Sequence, residues 1–272
     1  MIVQRHYLKE YFPQLGEDCN ASVDCYIPMQ MEEMNREIIF PCMVICPGGA
    51  YAFVSEREGE PVAMNFISEG YAAFVVHYSV APKGFPQQLR EVAAVMEIIH
   101  MHAKEWHCDA NNVAIMGFSA GGHLVAQYSN RYDCPEVREV FPDSKPVQKT
   151  ILGYPVITSL EEYTHGVTVF NFLSGHKPVT QDEKGCSCEL LVSEKTPPTF
   201  LWHTAEDQAV PVENSLLYAK ALAKHKVPFE LHIYPFGWHG LATVDERINV
   251  GLTDNIMRSA QWLEECKKWL KL

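Results

Sequence analysis

The segment 117–121 carries residue types that could support nucleophilic chemistry. Gly117, Ser119 and Gly121 form a Gly-x-Ser-x-Gly pattern between the apolar run 114–116 and a run with apolar residues at helical spacing. A serine in this context sits on a sharp strand-to-helix turn, where the glycines avoid collisions and the hydroxyl is exposed. Ser119 is therefore a candidate nucleophile. It would need a base, an acid that orients the base, and N–H donors for an oxyanion.

The order of residues along the chain adds specificity to this pattern. Alone it is weak evidence, because it arises by chance in roughly one random chain of this length in ten. In α/β-hydrolases, the serine is followed by an acid and then by a histidine, each on a loop after a strand. Asp207 follows the predicted strand 198–203, and His239 follows the predicted strand 229–234.

Both assignments have alternatives within the sequence. Asp207 could instead start the helix that follows it, and Glu206 competes for the role of the acid. His239 is one of twelve histidines. His203, inside a predicted strand, and His123, in the predicted elbow helix, are the other candidates for the base, but their positions are more typical of residues that line or support a site. The chain order favours Asp207 and His239.

Backbone N–H groups near the serine are candidates for an oxyanion hole. One belongs to Ala120, the residue after the nucleophile, and the others belong to Gly49 and Ala50 in the glycine-rich loop after the third predicted strand. The alternative is that Gly48 and Gly49 form only a tight turn. The position of the loop in the chain order favours the oxyanion role.

The segments around these residues alternate between strand and helix patterns. Strand patterns cover residues 22–27, 38–46, 71–78, 112–117, 150–154, 198–203 and 229–234. Besides the elbow helix, helical spacing of apolar residues covers 60–69, 87–105, 212–226 and 253–270. This alternation predicts an α/β fold with one mostly parallel central sheet and helices on both faces. Residues 1–20 give little periodic signal, and we expect an arm or an edge strand there.

Residues 157–197 interrupt the alternation. The segment is polar, contains Gly166, Gly175 and Gly185, and is too long for a simple connection. We therefore expect a cap-like insertion beside the carboxyl edge of the sheet. Since the sequence has no repeat, low-complexity tract or linker, it predicts one domain over 1–272 with this insertion.

The composition is that of a soluble globular protein. The chain has 272 residues, of which 47% are hydrophobic and 21% charged. A net charge of −12 with no basic run argues against nucleic acid or an anionic membrane as a partner. The first residues lack the apolar core of a signal peptide, and no later stretch reaches membrane-spanning length, so we expect a cytoplasmic protein.

The nine cysteines do not form a disulfide framework or a metal site by their spacing. Their number is odd, and neither Cys186 with Cys188 nor Cys42 with Cys46 has paired CxxC spacing with a second half-site. We expect reduced thiols and no metal.

The motifs together resemble the esterase/lipase group of α/β-hydrolases, and most closely its acetyl-xylan-esterase-like carbohydrate esterases. The resemblance runs from about residue 40 to the end of the chain. It rests on Cys-Pro-Gly-Gly-Ala-Tyr at 46–51, Gly-Phe-Ser-Ala-Gly-Gly-His-Leu at 117–124, Pro-Pro-Thr-Phe-Leu-Trp-His-Thr-Ala-Glu-Asp at 197–207, Val-Pro-Val-Glu-Asn-Ser at 210–215 and Gly-Trp-His-Gly-Leu at 237–241. The sequence departs from related esterases in two places: their His-Gly-Gly-Gly loop is Pro-Gly-Gly-Ala at 47–50 here, and the 157–197 insertion matches least.

The resemblance implies a serine esterase of short acyl esters, acetyl above all, on acetylated sugars or short xylo-oligosaccharides, with no cofactor. Tyr51, Phe118 and Trp238 would then be aromatic residues of the substrate pocket, although aromatic residues near strand ends more often belong to the core. A broad small-ester carboxylesterase or lipase-like enzyme and a formamidase-like amide hydrolase are the alternatives. A hydrolase fold used only for binding would need a lost triad member. No pattern marks an interface, so a homodimer stays open.

Overall fold

The computed structural model describes residues 1–31, 33 and 37–272. Its strands are β1 (Ile2–Tyr7), β2 (Ser22–Ile27), β3 (Phe40–Cys46), β4 (Ala72–His77), β5 (Cys108–Phe118), β6 (Lys149–Gly153), β7 (Thr199–Thr204) and β8 (Phe229–Tyr234). Its helices are α1 (Leu8–Tyr11), α2 (Glu60–Ile67), α3 (Gln87–His102), α4 (Ala120–Arg131), α5 (Pro135–Arg138), α6 (Gly166–Phe172), α7 (Glu213–Lys224), α8 (Asp254–Met257) and α9 (Gln261–Leu270).

The strands form one eight-stranded sheet in the order β1-β2-β4-β3-β5-β6-β7-β8. Strands β3 to β8 run parallel, and the hairpin-like pair β1 and β2 is antiparallel, with β2 also antiparallel to β4. The prediction of a mostly parallel sheet is confirmed, and the expected edge strand in residues 1–20 is β1. Because the carboxyl ends of parallel strands share one edge, loops that follow different strands meet there.

The core consists of two layers, one on each face of the sheet. Successive side chains of a strand point to opposite faces. In β3, Val44 accordingly packs in the cluster that includes Leu89 of α3 and Leu124 of α4. Met43, one residue before it, packs in the other cluster, with Trp262 of α9. Across the described residues, no helix is both long and apolar enough to cross a membrane.

The observed elements differ from the predicted ones mainly near the C-terminus. The single closing helix expected over 253–270 is two helices, α8 and α9, joined by a 3₁₀ turn at Arg258–Ala260. The Ser259 hydroxyl donates to the Ile256 carbonyl at 2.7 Å, and such side-chain bonds to the preceding turn compete with regular helix geometry. The prediction of one uninterrupted helix was therefore wrong.

The segment 157–197 lies between β6 and β7 and contains no strand, only α6 and short 3₁₀ turns. The Phe172 ring at the end of α6 lies 5.9 Å from the Tyr51 ring and 4.7 Å from the His123 ring, measured between centroids. The segment therefore packs against the loop after β3 and the first turn of α4. The division of the chain into one domain with a cap-like insertion stays a prediction.

Candidate active site

Ser119 occupies a strained turn between β5 and α4. Its φ is 52° and its ψ is −120°, a conformation that residues other than glycine rarely adopt. The neighbouring backbone leaves no room for side chains: a Cβ on Gly117 would collide with the carbonyl oxygen of Gly121, and one on Gly121 with that of Cys46. The Ser119 N–H donates to the Gly153 carbonyl at 3.1 Å, which ties the turn to β6. The glycines of the motif are thus required by contact with backbone.

The three predicted triad side chains lie within hydrogen-bond distance of each other in series. The distance from Ser119 Oγ to His239 Nε2 is 2.7 Å, and that from His239 Nδ1 to Asp207 Oδ2 is 2.6 Å. Since the carboxylate accepts, Nδ1 carries the proton, and Nε2 accepts from the serine hydroxyl. This is the hydrogen-bonded series that a serine nucleophile needs in order to lose its proton.

Asp207 is held in its ionised form and in a fixed orientation. Its Oδ1 accepts the N–H groups of Ala209 and Val210, each at 2.9 Å. Its Oδ2 lies 3.4 Å from His203 Nε2, in addition to its bond with His239. Burial by itself would raise the pKa of Asp207, but the hydrogen bonds from the two histidines outweigh it and hold the pKa well below its usual range. His203 thus supports the acid and is not in the place of the base.

The N–H groups predicted to form an oxyanion hole surround the same space. Within the described part of the chain, the N–H groups of Gly49, Ala50 and Ala120 donate no hydrogen bond to another residue. A cavity of about 230 Å³, here called the catalytic cavity, is lined among others by Gly49, Ala50, Arg57, Ser119, His165 and His239. Unpaired donors beside a serine hydroxyl are what stabilisation of an oxyanion requires. The assignment of this role to the three residues stays a prediction.

Tyr51 does not face the substrate space, which corrects the expectation that it belongs to the pocket. Its side chain is fully buried, and its hydroxyl lies 3.0 Å from His123 Nδ1. The other ring nitrogen, Nε2, donates to the Cys186 carbonyl at 3.1 Å. Burial lowers the pKa of His123 to about 4, so the ring is neutral and Nδ1 accepts from the tyrosine. Tyr51 therefore anchors the loop at 47–51, called the oxyanion loop here after its predicted role, to α4 and to the insertion.

Phe118 is likewise a core residue, contrary to the expectation. It is fully buried, and its ring lies 5.9 Å from that of Trp262, on the face covered by α9. Because successive side chains of a strand point to opposite faces, this last residue of β5 lies on the face that packs against Trp262. Trp238 is 37% exposed beside the base, and its role in substrate binding stays a prediction.

Glu58 is a buried carboxylate that sequence reasoning missed. One oxygen accepts the Gly48 N–H at 2.7 Å, and the other accepts the Tyr154 hydroxyl, also at 2.7 Å. The Tyr154 ring in turn packs edge-on against the His239 ring, 5.0 Å between centroids. A single carboxylate thus holds both the start of the oxyanion loop and the aromatic ring that packs on the base. In the sequence, Glu58 is indistinguishable from its exposed acidic neighbours.

The insertion contributes two further residues that the sequence did not single out. The side-chain amide of Asn171 in α6 donates to the Ala50 carbonyl at 2.8 Å. This hydrogen bond ties the oxyanion loop to the insertion. His165 lines the catalytic cavity, and its Nδ1 lies 2.7 Å from the Thr168 hydroxyl. Burial and, next, the nearby His239 lower the pKa of His165 from its ordinary value, which favours the uncharged ring. The insertion therefore borders the catalytic cavity directly.

No group of three or more His, Cys, Asp or Glu side chains among the described residues could hold a metal ion. All nine cysteines are free thiols. The expectation that the chemistry needs no cofactor stays a prediction, and the chemistry available at the site is that of the serine, histidine and aspartate.

Comparison with known proteins places this geometry in a family context. The BD-FAE family model matches residues 23–222. The endo-1,4-beta-xylanase B of Butyrivibrio fibrisolvens is 35% identical over 225 residues, which cover 80% of this chain and 35% of the relative. The acetylxylan esterase of Xylanibacter ruminicola is 30% identical over 275 residues, which cover 100% of this chain and 52% of the relative. The chain thus spans about a third and about half of the lengths of these two curated relatives.

Among solved structures, the fold matches the acetyl ester-xyloside bifunctional hydrolase of Caldicellulosiruptor lactoaceticus. The TM-score is 0.78 at 35% sequence identity, and the match covers 94% of this chain and 89% of that one. The predicted α/β-hydrolase fold is confirmed by this likeness together with the strand order of the sheet.

Proposed function

The chain belongs to the BD-FAE family, and on that premise we propose that it is a serine esterase that hydrolyses short-chain acyl esters, acetyl above all, of acetylated sugars or xylo-oligosaccharides. The observation that carries the proposal is the hydrogen-bonded series from Ser119 through His239 to Asp207, with distances of 2.7 and 2.6 Å. The relatives named as an acetylxylan esterase and as an acetyl ester-xyloside hydrolase support the choice of acyl group and alcohol.

The proposed reaction has two steps, acylation and deacylation. His239 Nε2 takes the Ser119 proton as Oγ bonds to the ester carbonyl carbon, and Asp207 stabilises the imidazolium that forms. The N–H groups of the oxyanion loop and of Ala120 hold the negative oxygen. The bond between the former carbonyl carbon and the sugar oxygen then breaks, and the leaving alkoxide takes the proton from Nε2. Water, deprotonated by the same nitrogen, attacks the acyl carbon of the acyl-enzyme. The bond from that carbon to Ser119 Oγ then breaks, Oγ takes the proton back from Nε2, and acetate is released.

The size and lining of the catalytic cavity support a small acyl group and a polar alcohol. Its volume of about 230 Å³ lies below the roughly 300–1,000 Å³ that is typical of sites for drug-sized ligands. Arg57 and His165 contribute polar groups to its wall. Such groups can bond sugar hydroxyls, whereas a long alkyl chain would leave them desolvated without partners.

The test is hydrolysis of p-nitrophenyl acetate, butyrate and octanoate beside an acetylated xylo-oligosaccharide, by the wild type and by Ser119→Ala. The proposal expects turnover that favours acetate, extends to the sugar ester and disappears in the variant. Circular dichroism of the variant serves as the folding control. A preference for octanoate would replace the proposal with a lipase-like esterase, and equal rates in both proteins would exclude Ser119 as the nucleophile.

A further inference from the structure

A second, larger cavity adjoins the catalytic cavity. It has a volume of about 520 Å³ and is called the distal cavity here; Arg5, Asp24, Glu60, Met64, His77 and Arg247 are among its lining residues. The two cavities share Ser55 and lie on either side of the segment 53–59. Glu56 of this segment lines the distal cavity, whereas Arg57 and Glu58 line the catalytic one. Since residues of this one segment line both cavities, the two cavities are neighbours.

The wall of the distal cavity that β1, β2 and β4 form carries a preorganised cluster of polar side chains. Arg5 donates through Nε and a terminal nitrogen to the two oxygens of Asp24, both at 2.6 Å. His77 Nε2 lies 2.9 Å from the same carboxylate. Burial opposes ionisation of Asp24, but the bonds from Arg5 and His77 hold its pKa below the usual range. The bidentate pair fixes a planar guanidinium whose side chain remains half exposed, so its free face is available to a ligand.

The remaining walls mix apolar surface with exposed carboxylates. Met64 and Ile248 supply apolar area, while Glu56 and Glu60 supply acceptors. Two arginines face three carboxylates around the distal cavity, so the lining has no excess of positive charge that would select an anion. Sugar rings present apolar C–H faces together with hydroxyl groups that both donate and accept, and this lining offers a counterpart to each.

We propose that the distal cavity is a subsite for uncharged sugar residues that neighbour the acetylated residue held at Ser119. The inference rests on the proposed function, because it assumes that the ester is carried by an oligosaccharide. The volume of about 520 Å³ lies within the roughly 300–1,000 Å³ of typical small-molecule sites. The subsite makes the enzyme prefer acetylated oligosaccharides over acetylated monosaccharides through binding, without a change in the chemical step at the serine.

The variant Met64→Trp tests the subsite, since an indole at this position would fill part of the distal cavity. Met64 is 46% exposed on α2, so the exchange does not enter the core. Met101→Trp, at a 60% exposed position on α3, is the matched control. The measurement is the ratio of kcat/KM for acetylated xylotriose to kcat/KM for acetylated xylose. In the wild type and in Met101→Trp we expect a ratio of about ten. In Met64→Trp we expect a ratio near one, because KM for acetylated xylotriose rises.

Calorimetric titration with unacetylated xylotriose separates this inference from the proposed function. Binding to the wild type that weakens about tenfold in Met64→Trp supports the subsite even if no sugar ester is hydrolysed, in which case only the proposed function fails. Hydrolysis of both sugar esters with equal kcat/KM in the wild type, or an unchanged ratio in Met64→Trp, overturns the subsite and leaves the proposed function intact. If the protein neither hydrolyses the sugar esters nor binds xylotriose, both the subsite and the proposed function are overturned.

Discussion

The exchange Asp207→Asn is expected to inactivate the enzyme through the orientation of a single amide. The two backbone N–H groups that bond Oδ1, from Ala209 and Val210, would hold the amide oxygen of the asparagine in the same place. The amide NH₂ would then point at His239 Nδ1, where the aspartate offers an acceptor. An NH₂ group cannot accept, so Nδ1 becomes the acceptor and the ring proton moves to Nε2.

This tautomer leaves His239 without a lone pair for the Ser119 proton. The loss is that of the base, while the cavity and the N–H donors of the oxyanion loop remain. We expect kcat to fall about 10⁴-fold, as in other serine hydrolases with this change, which is about 5.4 kcal/mol of transition-state stabilisation. KM should change little, because the acid does not line the catalytic cavity.

The assay is steady-state hydrolysis of p-nitrophenyl acetate, with Glu206→Gln as the matched control. Glu206 neighbours the acid in sequence but is exposed to solvent, so its neutralisation should leave kcat unchanged. Retention of a tenth or more of the activity by Asp207→Asn, or a comparable loss in Glu206→Gln, would refute the reasoning from amide orientation.

Three further predictions concern the supports of the site and the acid stability of the fold. Glu58→Gln should lower kcat about 10- to 100-fold with KM unchanged. The amide has one acceptor oxygen for the Gly48 N–H and the Tyr154 hydroxyl, and leaving one of these buried donors unpaired costs about 1–3 kcal/mol. A normal kcat would show that the carboxylate only fills space. Gly121→Ala should lower the free energy of unfolding in urea by about 1–3 kcal/mol, since the added methyl group meets main-chain oxygens. Gly166→Ala is the control and should not lower it, since its methyl group meets open space. Equal stabilities of the two variants would contradict the packing argument. The pKa of Asp24 is lowered in the folded state, so the stability that its carboxylate contributes is present above the unfolded pKa of 3.8 and is lost as the pH falls further. Unfolding followed by circular dichroism should therefore show a steeper loss of stability below about pH 4 in the wild type than in Asp24→Asn. Parallel curves for the two proteins would argue against this contribution.

The fold was predictable from the sequence because its strands and its helices each follow one pattern of apolar residues. Buried parallel strands are continuous apolar runs, and the helices between them show apolar residues at helical spacing. The motif residues Ser119, Asp207 and His239 follow strands that run in the same direction, so their loops were bound to meet at one edge of the sheet. Their proximity thus follows from chain order, although their catalytic roles stay predictions.

The errors arose where side-chain direction or tertiary contact decides the outcome. Tyr51 and Phe118 adjoin the predicted site in sequence, but one points into the protein toward His123 and the other continues the alternation of β5. Asn171 has no local signature, because it acts on the loop at 47–51 from a distant part of the chain. Glu58 lies close to this loop in sequence, but its pattern is the same as that of the exposed acidic residues on either side of it. Spacing along a sequence predicts which loops meet, whereas the direction of a side chain within such a loop depends on its packing.

The contacts between the insertion and the oxyanion loop bear on how such enzymes can be re-engineered. A chimera that took its segment 157–197 from another hydrolase would lose the Asn171 amide that bonds the Ala50 carbonyl. It would keep the main-chain carbonyl that accepts from His123 only if its backbone followed the same path at position 186. The segment borders the catalytic cavity and also bonds the loop at 47–51. On the proposed function, a change made there for selectivity would therefore also be expected to affect turnover. A library aimed at new leaving groups should therefore keep Asn171 and the backbone at Cys186 fixed and vary the surface between them.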